Sequence, residues 1–578
     1  MASAECSLKI EECTRRVLES VSMNLVTLFE SAIETYSEIQ LLNSLANCNE
    51  EASSLHFHLC ETPVAIAIKS DCVPVVKKMM AFLRNALAQN IVENQLKITF
   101  IIHQLLHKFP IEELIDNLIY DPIPLYRREI RPHQWLMFFA NIVTNCKKIT
   151  RQDKIILLEV IGSALITQLC EPQFFIEGET LCGNYGLECW REAMTLRYFP
   201  QDGGDVMPKL PNFNVPSESS SFIFGSAVEV ATIEELDLLQ EDLKQNYLNV
   251  QMPIQCLGRM VIQALLVLQR ISHHLGHPHW LYPQSFLDFA GFVFEFTDDF
   301  RIKTCLCILE ELTTDDPNLL PPRTFGVLIQ TLDRLSDYFI EALSEPPNSP
   351  EGRELNYANI LIITKLATAI QPNHPHFQFF ANIYVLMGVI YRLVFILDSI
   401  SSRITSQEKQ ILETFYYDYF RARTERTPTV LQMAVQDICE STKHARLQTI
   451  QRILKFGADP NASDWFGRTP LHYLAERTQY NADESIPLFQ VLLDAGAHLD
   501  VTADDGKTVI CILKEKLEGK ENPYFESLIN TVFPLTCLCA GVIRRHGIPF
   551  EDRLPPRLKK LVSSHSAKAS IDLHQPRR

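Results

Sequence analysis

Glycine is scarce in this sequence, and the short motifs that mark common catalytic sites are missing. Only 20 of the 578 residues are glycine, whereas leucine, alanine and glutamate, which favour helices, are plentiful. The chain has no glycine-rich phosphate loop, no Gly-x-Ser-x-Gly elbow and no His-Glu-x-x-His pair. This composition predicts an all-α protein, and without such a motif we assign no catalytic residue.

The chain also lacks an excess of positive charge and regularly spaced cysteines. The chain has 53 basic and 70 acidic residues, giving a net charge of −17, which disfavours non-specific binding to nucleic acid. Its 16 cysteines include no Cys-x-x-Cys pair, and residues Met1 to Ile33 contain no long apolar core behind a basic start. We therefore expect reduced thiols, no secretion signal, no nucleic-acid partner, and a cytoplasmic or nuclear location.

One apolar stretch, Phe377 to Leu397, is long enough to cross a bilayer. Asn382 and Arg392 lie inside it, and an arginine at the centre of a membrane helix costs about 2.5–3.5 kcal/mol. The neighbouring segments have the apolar periodicity of amphipathic helices. We predict a buried helix here and no membrane association.

Two kinds of stretch could be mistaken for metal sites. The histidine cluster HHLGHPH covers His273 to His279, but Gly276 and Pro278 end a helix there, and no cysteine or carboxylate lies in the run. The CLC pairs, Cys305 to Cys307 and Cys537 to Cys539, place their thiols on different faces of a helix. We interpret both as structural, with small buried thiols in the pairs, and predict no metal and no cofactor.

Two segments near the C-terminus are copies of each other. GADPNASDWFGRTPLHYLAE (Gly457 to Glu476) and GAHLDVTADDGKTVICILKE (Gly496 to Glu515) align with their glycines and threonines 39 residues apart. Thr469 can cap a helix, and Pro470 fits its first position. Gly496 supplies the left-handed turn after the second helix of a unit. This pattern, with a weaker copy from Thr427, predicts ankyrin repeats.

The chain as a whole is predicted to be a helical-repeat solenoid. Residues 1–110 form a degenerate ankyrin-like region, in which Glu61 to Leu83 keeps the helix–turn–helix layout. Residues 111–424 form helical hairpins like those of tetratricopeptide (TPR) repeats, including NYGLECWREAMTLRYFP from Asn184 to Pro200. Residues 425–530 are the C-terminal ankyrin repeats, residues 531–566 a C-terminal helical unit, and residues 567–578 a disordered tail.

The C-terminal unit contains two apolar patterns, PLTCLCAGVI and LPPRLKKLV. In the first, Leu535, Cys539 and Ile543 are spaced by four residues and form one narrow helical stripe. In the second, Leu558 and Leu561 form one face, with lysines on the other. One interpretation is a helix pair that caps the ankyrin stack, because repeat arrays need polar ends.

These patterns also resemble the two halves of a VHL box, by which some substrate receptors join a cullin-2 ubiquitin ligase. PLTCLCAGVI is similar to the elongin-C-binding box, and LPPRLKKLV to the cullin-2 box that follows it. The resemblance implies that elongin C binds Leu535, Cys539 and Ile543. The residues that it assigns to cullin-2 are Leu554, Pro555, Leu558 and Leu561.

The wider sequence resembles the fem-1 (feminization) family of such receptors, over roughly Thr150 to His565. The resemblance rests on the segment CWREAM, on the helix end QRISHHLGHPH, and on an ankyrin pair ahead of the box. It implies the substrate-recognition subunit of a cullin-2, elongin-B/C ligase, which recruits a substrate protein, often through a C-terminal degron, and does not itself catalyse ubiquitin transfer.

The N-terminus departs from this family, whose members usually open with a long run of ankyrin repeats. Substrate-binding residues therefore stay unknown, although we expect the substrate to bind the N-terminal half. The alternative function is an ankyrin scaffold without a ligase, whose C-terminal helices only cap the stack. The exposure of Leu535 separates the two functions, because a capping helix buries this side chain and a docking helix presents it.

Overall fold

Helices form the regular structure of the described part of this chain. The computed structural model describes residues 132–564 with short gaps, and ahead of residue 132 only isolated stretches, chiefly residues 26–36 and 111–115. The gaps are residues 148, 168–178, 200–202, 210–221, 248–253, 276–279, 293–297, 313–315, 379–382, 423–425, 437–445, 479–481, 518–521 and 532–534. Within these bounds there is no strand, only an isolated bridge between Thr502 and Thr508. The predicted all-α repeat fold is confirmed.

The chain divides into two units, Met1–Phe294 and Glu295–Arg578. The described helices of the first unit are α1 (Val26–Thr35), α2 (Ile111–Leu114), α3 (Pro132–Asn145), α4 (Arg151–Thr167), α5 (Glu179–Tyr198), α6 (Ile233–Tyr247), α7 (Ile254–His274) and α8 (Leu281–Phe292). Helix α4 packs against α3, α5 and α7, and it is buried along most of its length. It therefore forms the centre of the described part of this unit.

Helices α4 and α5 approach each other through two glycines. A Cβ atom on Gly162 would lie 2.7 Å from the carbonyl oxygen of Gly186, and one on Gly186 would lie 2.8 Å from that of Gly162. Ala193 and Trp190 of the CWREAM segment are buried in the same unit. Neither glycine position has room for a larger side chain, so the two helices can pack closely there.

A network of buried charges ties α4 to its neighbours. The Glu159 carboxylate accepts hydrogen bonds at 3.0 Å from both Nε and a terminal nitrogen of Arg197 on α5, and it pairs with Arg270 on α7, also at 3.0 Å. Arg270 also pairs with Glu229 at 2.9 Å, and Glu229 pairs with Lys209 at 2.7 Å. Burial alone would raise the pKa of Glu159, but Arg270 and Arg197 outweigh it and lower the pKa. This carboxylate is therefore ionised inside the helical core.

The second unit starts with helices in the part of the chain that was predicted to be TPR-like. They are α9 (Asp298–Leu312), α10 (Pro322–Ala342), α11 (Pro350–Glu354), α12 (Tyr357–Ala369), α13 (Ile383–Ser399) and α14 (Ser406–Ala422). Helix α10 packs between α9 and α13, and α12 packs against α14. Single turns of 3₁₀ helix at Pro317–Leu319 and Pro375–Gln378 complete this region.

The apolar stretch that contains Arg392 becomes helix α13, and most of its side chains are buried. The Arg392 guanidinium donates a hydrogen bond to Ser336 Oγ at 2.8 Å and pairs with Asp333 and Asp337 on α10. The prediction of a buried helix is confirmed, because the charge that disfavours membrane insertion has partners within the unit. Among the described helices, none combines the length and the apolar character needed to cross a membrane.

Three helix pairs follow and form the ankyrin repeats. They are α15 (Val430–Val435) with α16 (Arg446–Lys455), α17 (Pro470–Arg477) with α18 (Ala482–Asp494), and α19 (Val509–Lys516) with α20 (Pro523–Ile529). As predicted, Thr469 precedes Pro470 at the start of α17. Leu471, Leu474 and Ala475 of this helix are buried. Gly457 and Gly496 have φ values of +99° and +89°, the left-handed conformation expected of the glycine after each second helix.

Adjacent repeats are joined by the third residue of each first helix. Gln432 caps the start of α15 and also donates a hydrogen bond at 2.5 Å to the carbonyl of Arg468, just ahead of α17. His472 occupies the same position in α17. Its Nδ1 accepts the Thr469 N–H at 3.1 Å, so its Nε2 carries the proton and lies 3.3 Å from the carbonyl of Lys507, ahead of α19. Gln432 and His472 therefore each form hydrogen bonds with backbone groups of two successive repeats.

Acid is expected to destabilise the ankyrin repeats through His472. Burial lowers the pKa of this imidazole to about 4, whereas in the unfolded chain it is about 6.5. As the pH falls below about 6.5, the unfolded chain binds a proton that the folded repeats do not bind, so stability decreases until the pH passes the folded pKa. At pH 5 the loss is about 2 kcal/mol.

This loss is measured by urea unfolding at pH 7 and at pH 5. Hydrogen exchange of the α17 amides at the same two pH values reports on the repeat that contains His472. The variant His472→Asn should show a smaller difference between the two pH values, because its side chain does not titrate. The matched control is His546→Asn, which changes an exposed histidine and should keep the difference of the parent. An unchanged difference in His472→Asn would contradict the prediction.

Several predicted segments fall outside the described residues. Of the ankyrin-like segment from Glu61 to Leu83, only Val75, Met79 and Phe82 are described, and these are helical and buried. The predicted tail, residues 567–578, lies wholly outside. The five-part division of the chain and the ankyrin-like nature of its first part stay predictions.

Candidate docking surface on the C-terminal helices

Helix α21 (Leu535–Arg545) presents an apolar face to solvent. Leu535 is 75% exposed, Leu538 48% and Val542 45%, and Cys539 is also exposed. An apolar residue that is singly exposed is ordinary, but four consecutive members of one helical face form a patch of the kind that marks an interaction site. The sequence identified Leu535 and Cys539 on this face and missed Leu538 and Val542.

The opposite face of α21 is buried. Cys537 and Ala540 are 2% and 1% exposed, and Cys537 Sγ lies 3.6 Å from Nδ1 of His498 in the loop after α18. Burial, followed by the charge of the nearby Asp500, raises the pKa of Cys537 to about 11. This thiol is therefore protonated at neutral pH. The contact between Cys537 and His498 joins the buried face of α21 to the last ankyrin repeat.

The four-residue stripe predicted from the sequence turns gradually away from the exposed face. Successive members of the spacing i, i+4, i+8 are rotated by about 40°, because a helix advances about 100° per residue. Leu535 and Cys539 lie on the exposed face, whereas Ile543, after two such steps, is half-buried at its border. The exposed face is better described by Leu535 with the residues three, four and seven positions later.

Helix α22 (Pro556–Ser564) packs against α21 and has an exposed side of its own. Pro555 is exposed, and its carbonyl accepts the backbone N–H groups of Leu558 and Lys559, each at 2.9 Å, which starts the helix. Leu558 is 40% exposed. Leu554 and Leu561 are half-buried, and Val562 is buried.

The structure separates the members of one CLC pair and buries the other. Cys537 is buried and Cys539 exposed, on different faces of α21 as predicted, whereas Cys305 and Cys307 are both buried in α9. The prediction that the thiols of both pairs are buried is therefore wrong for Cys539. In the histidine cluster, α7 ends at His274 as predicted, and residues 276–279 lie outside the described part of the chain.

Comparisons with known proteins agree with the ankyrin repeats. Residues 432–482 match the family model of ankyrin repeats (many copies). Protein fem-1 homolog A of Rattus norvegicus is 26% identical over 441 residues, which cover 73% of this chain and 58% of the relative. The corresponding human protein is 26% identical over 444 residues, covering 73% and 57%.

Protein fem-1 homolog C of Bos taurus is 23% identical over 458 residues, covering 77% of this chain and 66% of the relative. The chain thus spans about 58% of the length of the fem-1 homolog A proteins that it matches. Ankyrin arrays are usually non-catalytic binding platforms, so these matches support a role in protein–protein interaction. The resemblance to the fem-1 family is confirmed over about three quarters of the chain.

Proposed function

We infer that this protein is the substrate-recognition subunit of a cullin-2 ubiquitin ligase and binds elongin C, with its partner elongin B, through α21. The observation that carries this proposal is the 75% exposure of Leu535 at the start of an apolar face. A helix that only capped the ankyrin stack would bury this residue. The VHL-box resemblance of the same helix supplies the identity of the partner.

The second helix fits the second partner in this assembly. The exposed Pro555, just ahead of α22, and the exposed Leu558 within it are residues to which the cullin-2 box resemblance assigns contacts with cullin-2. The subunit would hold a substrate protein close to the ubiquitin-conjugating enzyme and leave the transfer chemistry to the other subunits. This raises the effective concentration of a substrate lysine without any catalytic residue in this chain.

The alternative function is an ankyrin scaffold that joins no ligase. The exposed turn at Trp465 and Phe466, between α16 and α17, gives such a scaffold an apolar contact for another protein. The two functions differ in the role of α21. Only the ligase function requires its exposed face to bind elongin C.

Replacing Leu535 by alanine is expected to weaken binding to the elongin-B/C complex by about tenfold or more. A fully buried leucine contributes about 1.5–3 kcal/mol, and about 1.4 kcal/mol corresponds to one factor of ten. The dissociation constant is measured by titrating purified elongin B/C into the full chain. Because the side chain is exposed in the free protein, the melting temperature should stay that of the parent.

The matched control is Leu319→Ala, which truncates another exposed leucine of the same unit. Leu319 is 81% exposed in a 3₁₀ turn ahead of α10, so its loss should leave elongin binding unchanged. Equal affinities of the parent and Leu535→Ala for elongin B/C would refute the docking role of α21 and favour the scaffold.

A further inference from the structure

Three side chains with metal-binding atoms meet beneath α21. Within the described residues, one imidazole nitrogen of His498, one carboxylate oxygen of Asp500 and Sγ of Cys537 all lie within 4.8 Å of one another. Cys537 is buried, and the other two side chains are half-buried. The ligands come from two elements, because His498 and Asp500 belong to the loop after α18 whereas Cys537 belongs to α21.

The distance between the sulfur and the imidazole nitrogen agrees with a tetrahedral metal centre. Zinc binds thiolate sulfur at about 2.3 Å and imidazole nitrogen at about 2.0–2.1 Å, which at a tetrahedral angle separates the two ligand atoms by about 3.5 Å. In the structure, Cys537 Sγ and His498 Nδ1 are 3.6 Å apart. An ion could therefore join these two ligands with almost no movement, and a carboxylate oxygen of Asp500 lies within 4.8 Å of both ligand atoms.

The loop that carries His498 is held in place independently of any ion. The side chain of Asn461, in the turn after α16, accepts the His498 backbone N–H at 2.8 Å and donates to the Gly496 carbonyl, also at 2.8 Å. Leu499, between the two ligands, is buried in the repeat. The ligands on this loop are thus pre-positioned, which lowers the entropy cost of binding.

The chemistry of the three ligands selects the metal. A thiolate and a carboxylate together neutralise a divalent cation, and a thiolate with an imidazole suits zinc, whereas magnesium and calcium prefer sites made of oxygen alone. His498 and Asp500 are only half-buried, so solvent could supply the fourth ligand that such a zinc site needs.

We propose that a zinc ion bound by His498, Asp500 and Cys537, with water as the fourth ligand, fastens α21 to the last ankyrin repeat. The ion lies on the buried face of the helix, so it would fix the orientation in which Leu535 and its neighbours are presented. The proposal concerns the free protein and does not depend on the identity of any partner of α21.

Zinc binding is tested with the purified full chain after removal of metal by a chelator. Zinc is then titrated in competition with a chromophoric chelator, for the parent and for Cys537→Ser, His498→Gln and Cys539→Ser. We expect the first two variants to lose one zinc equivalent or to bind it at least about a hundredfold more weakly, since removing even an outer-shell partner costs 10- to 100-fold. Cys539→Ser, two residues away on the exposed face, should bind like the parent.

A second measurement keeps the proposal testable if Cys537→Ser folds poorly. Cobalt(II) in place of zinc should give the parent a thiolate-to-cobalt charge-transfer band, which Cys537→Ser lacks and Cys539→Ser keeps. Hydrogen exchange in α21 should slow on addition of zinc in the parent and not in His498→Gln. The same zinc stoichiometry and affinity in the parent and His498→Gln, or a cobalt spectrum without a thiolate band, would overturn the proposal.

Discussion

Replacing Glu159 by leucine is expected to lower the free energy of unfolding of the first unit by about 3–5 kcal/mol, the usual cost of breaking a buried ion pair from one side. The carboxylate is 2% exposed and neutralises two guanidinium groups, those of Arg197 and Arg270. Arg270 keeps a second partner in Glu229, but Arg197 loses the carboxylate that binds it through two hydrogen bonds. The remaining buried positive charge, more than the loss of the pair itself, causes the destabilisation.

Urea unfolding of the parent and the variant, with hydrogen exchange of α4 as the local reporter, measures this effect. The matched control is Asp242→Asn, which removes a carboxylate paired with Arg259 at 3.1 Å on the surface of the same unit. Exposed pairs contribute about 0–1 kcal/mol, so this variant should unfold almost as the parent does. Equal losses in the two variants would show that burial of the network does not determine its contribution.

Replacing Pro555 and Leu558 together by alanine is expected to abolish most binding to cullin-2 and to leave elongin binding intact. Leu558 is the exposed apolar residue of α22, and Pro555 fixes the backbone that starts this helix. Loss of a central anchor at an interface costs about 2 kcal/mol or more, which is about thirtyfold in affinity.

Co-purification of cullin-2 with the full chain, already bound to elongin B/C, measures the loss. Ser563→Ala changes an exposed residue of the same helix and should retain cullin-2. If the double variant lost elongin and cullin-2 to the same extent, the C-terminal end would be misfolded, and the division of labour between α21 and α22 would be wrong.

The ankyrin repeats could be predicted from the sequence because their signals are local. Thr469 and Pro470 start a helix by their own capping chemistry, and Gly457 and Gly496 allow a backbone turn that other residues resist. The copy 39 residues later repeats these signals, so the prediction does not depend on any single residue. The buried helix α13 was predictable for a similar reason, since its length and Arg392 are both visible in one segment.

The face of α21 was predicted only in part, because a spacing of four residues approximates a period of 3.6. The approximation is adequate over one turn, which gave Leu535 and Cys539, and it fails over two turns at Ile543. Leu538 and Val542, three and seven residues after Leu535, complete the apolar pattern of this face. A search for the apolar face with the true helical period would have found both.

Contacts between distant segments could not be predicted from one sequence. Glu159 lies in the apolar run IILLEVIGSALI, which signals a buried charge in need of partners, but nothing local identifies Arg197, which is 38 residues away. His498 and Cys537 are 39 residues apart and share no recognisable motif. Such arrangements are fixed by the packing of helices, which the periodicity of a single segment does not specify.

The exposed face of α21 also has a consequence for the production of the protein. A chain that exposes Leu535, Leu538 and Val542 to water has an apolar patch that can associate with other proteins until a partner binds it. When synthesised in excess, it should self-associate and be lost from the soluble fraction, and the loss should increase with concentration. The soluble yield of this protein in a host cell would then depend on the amount of a partner protein that covers this surface. Raising the amount of that partner should raise the amount of soluble protein.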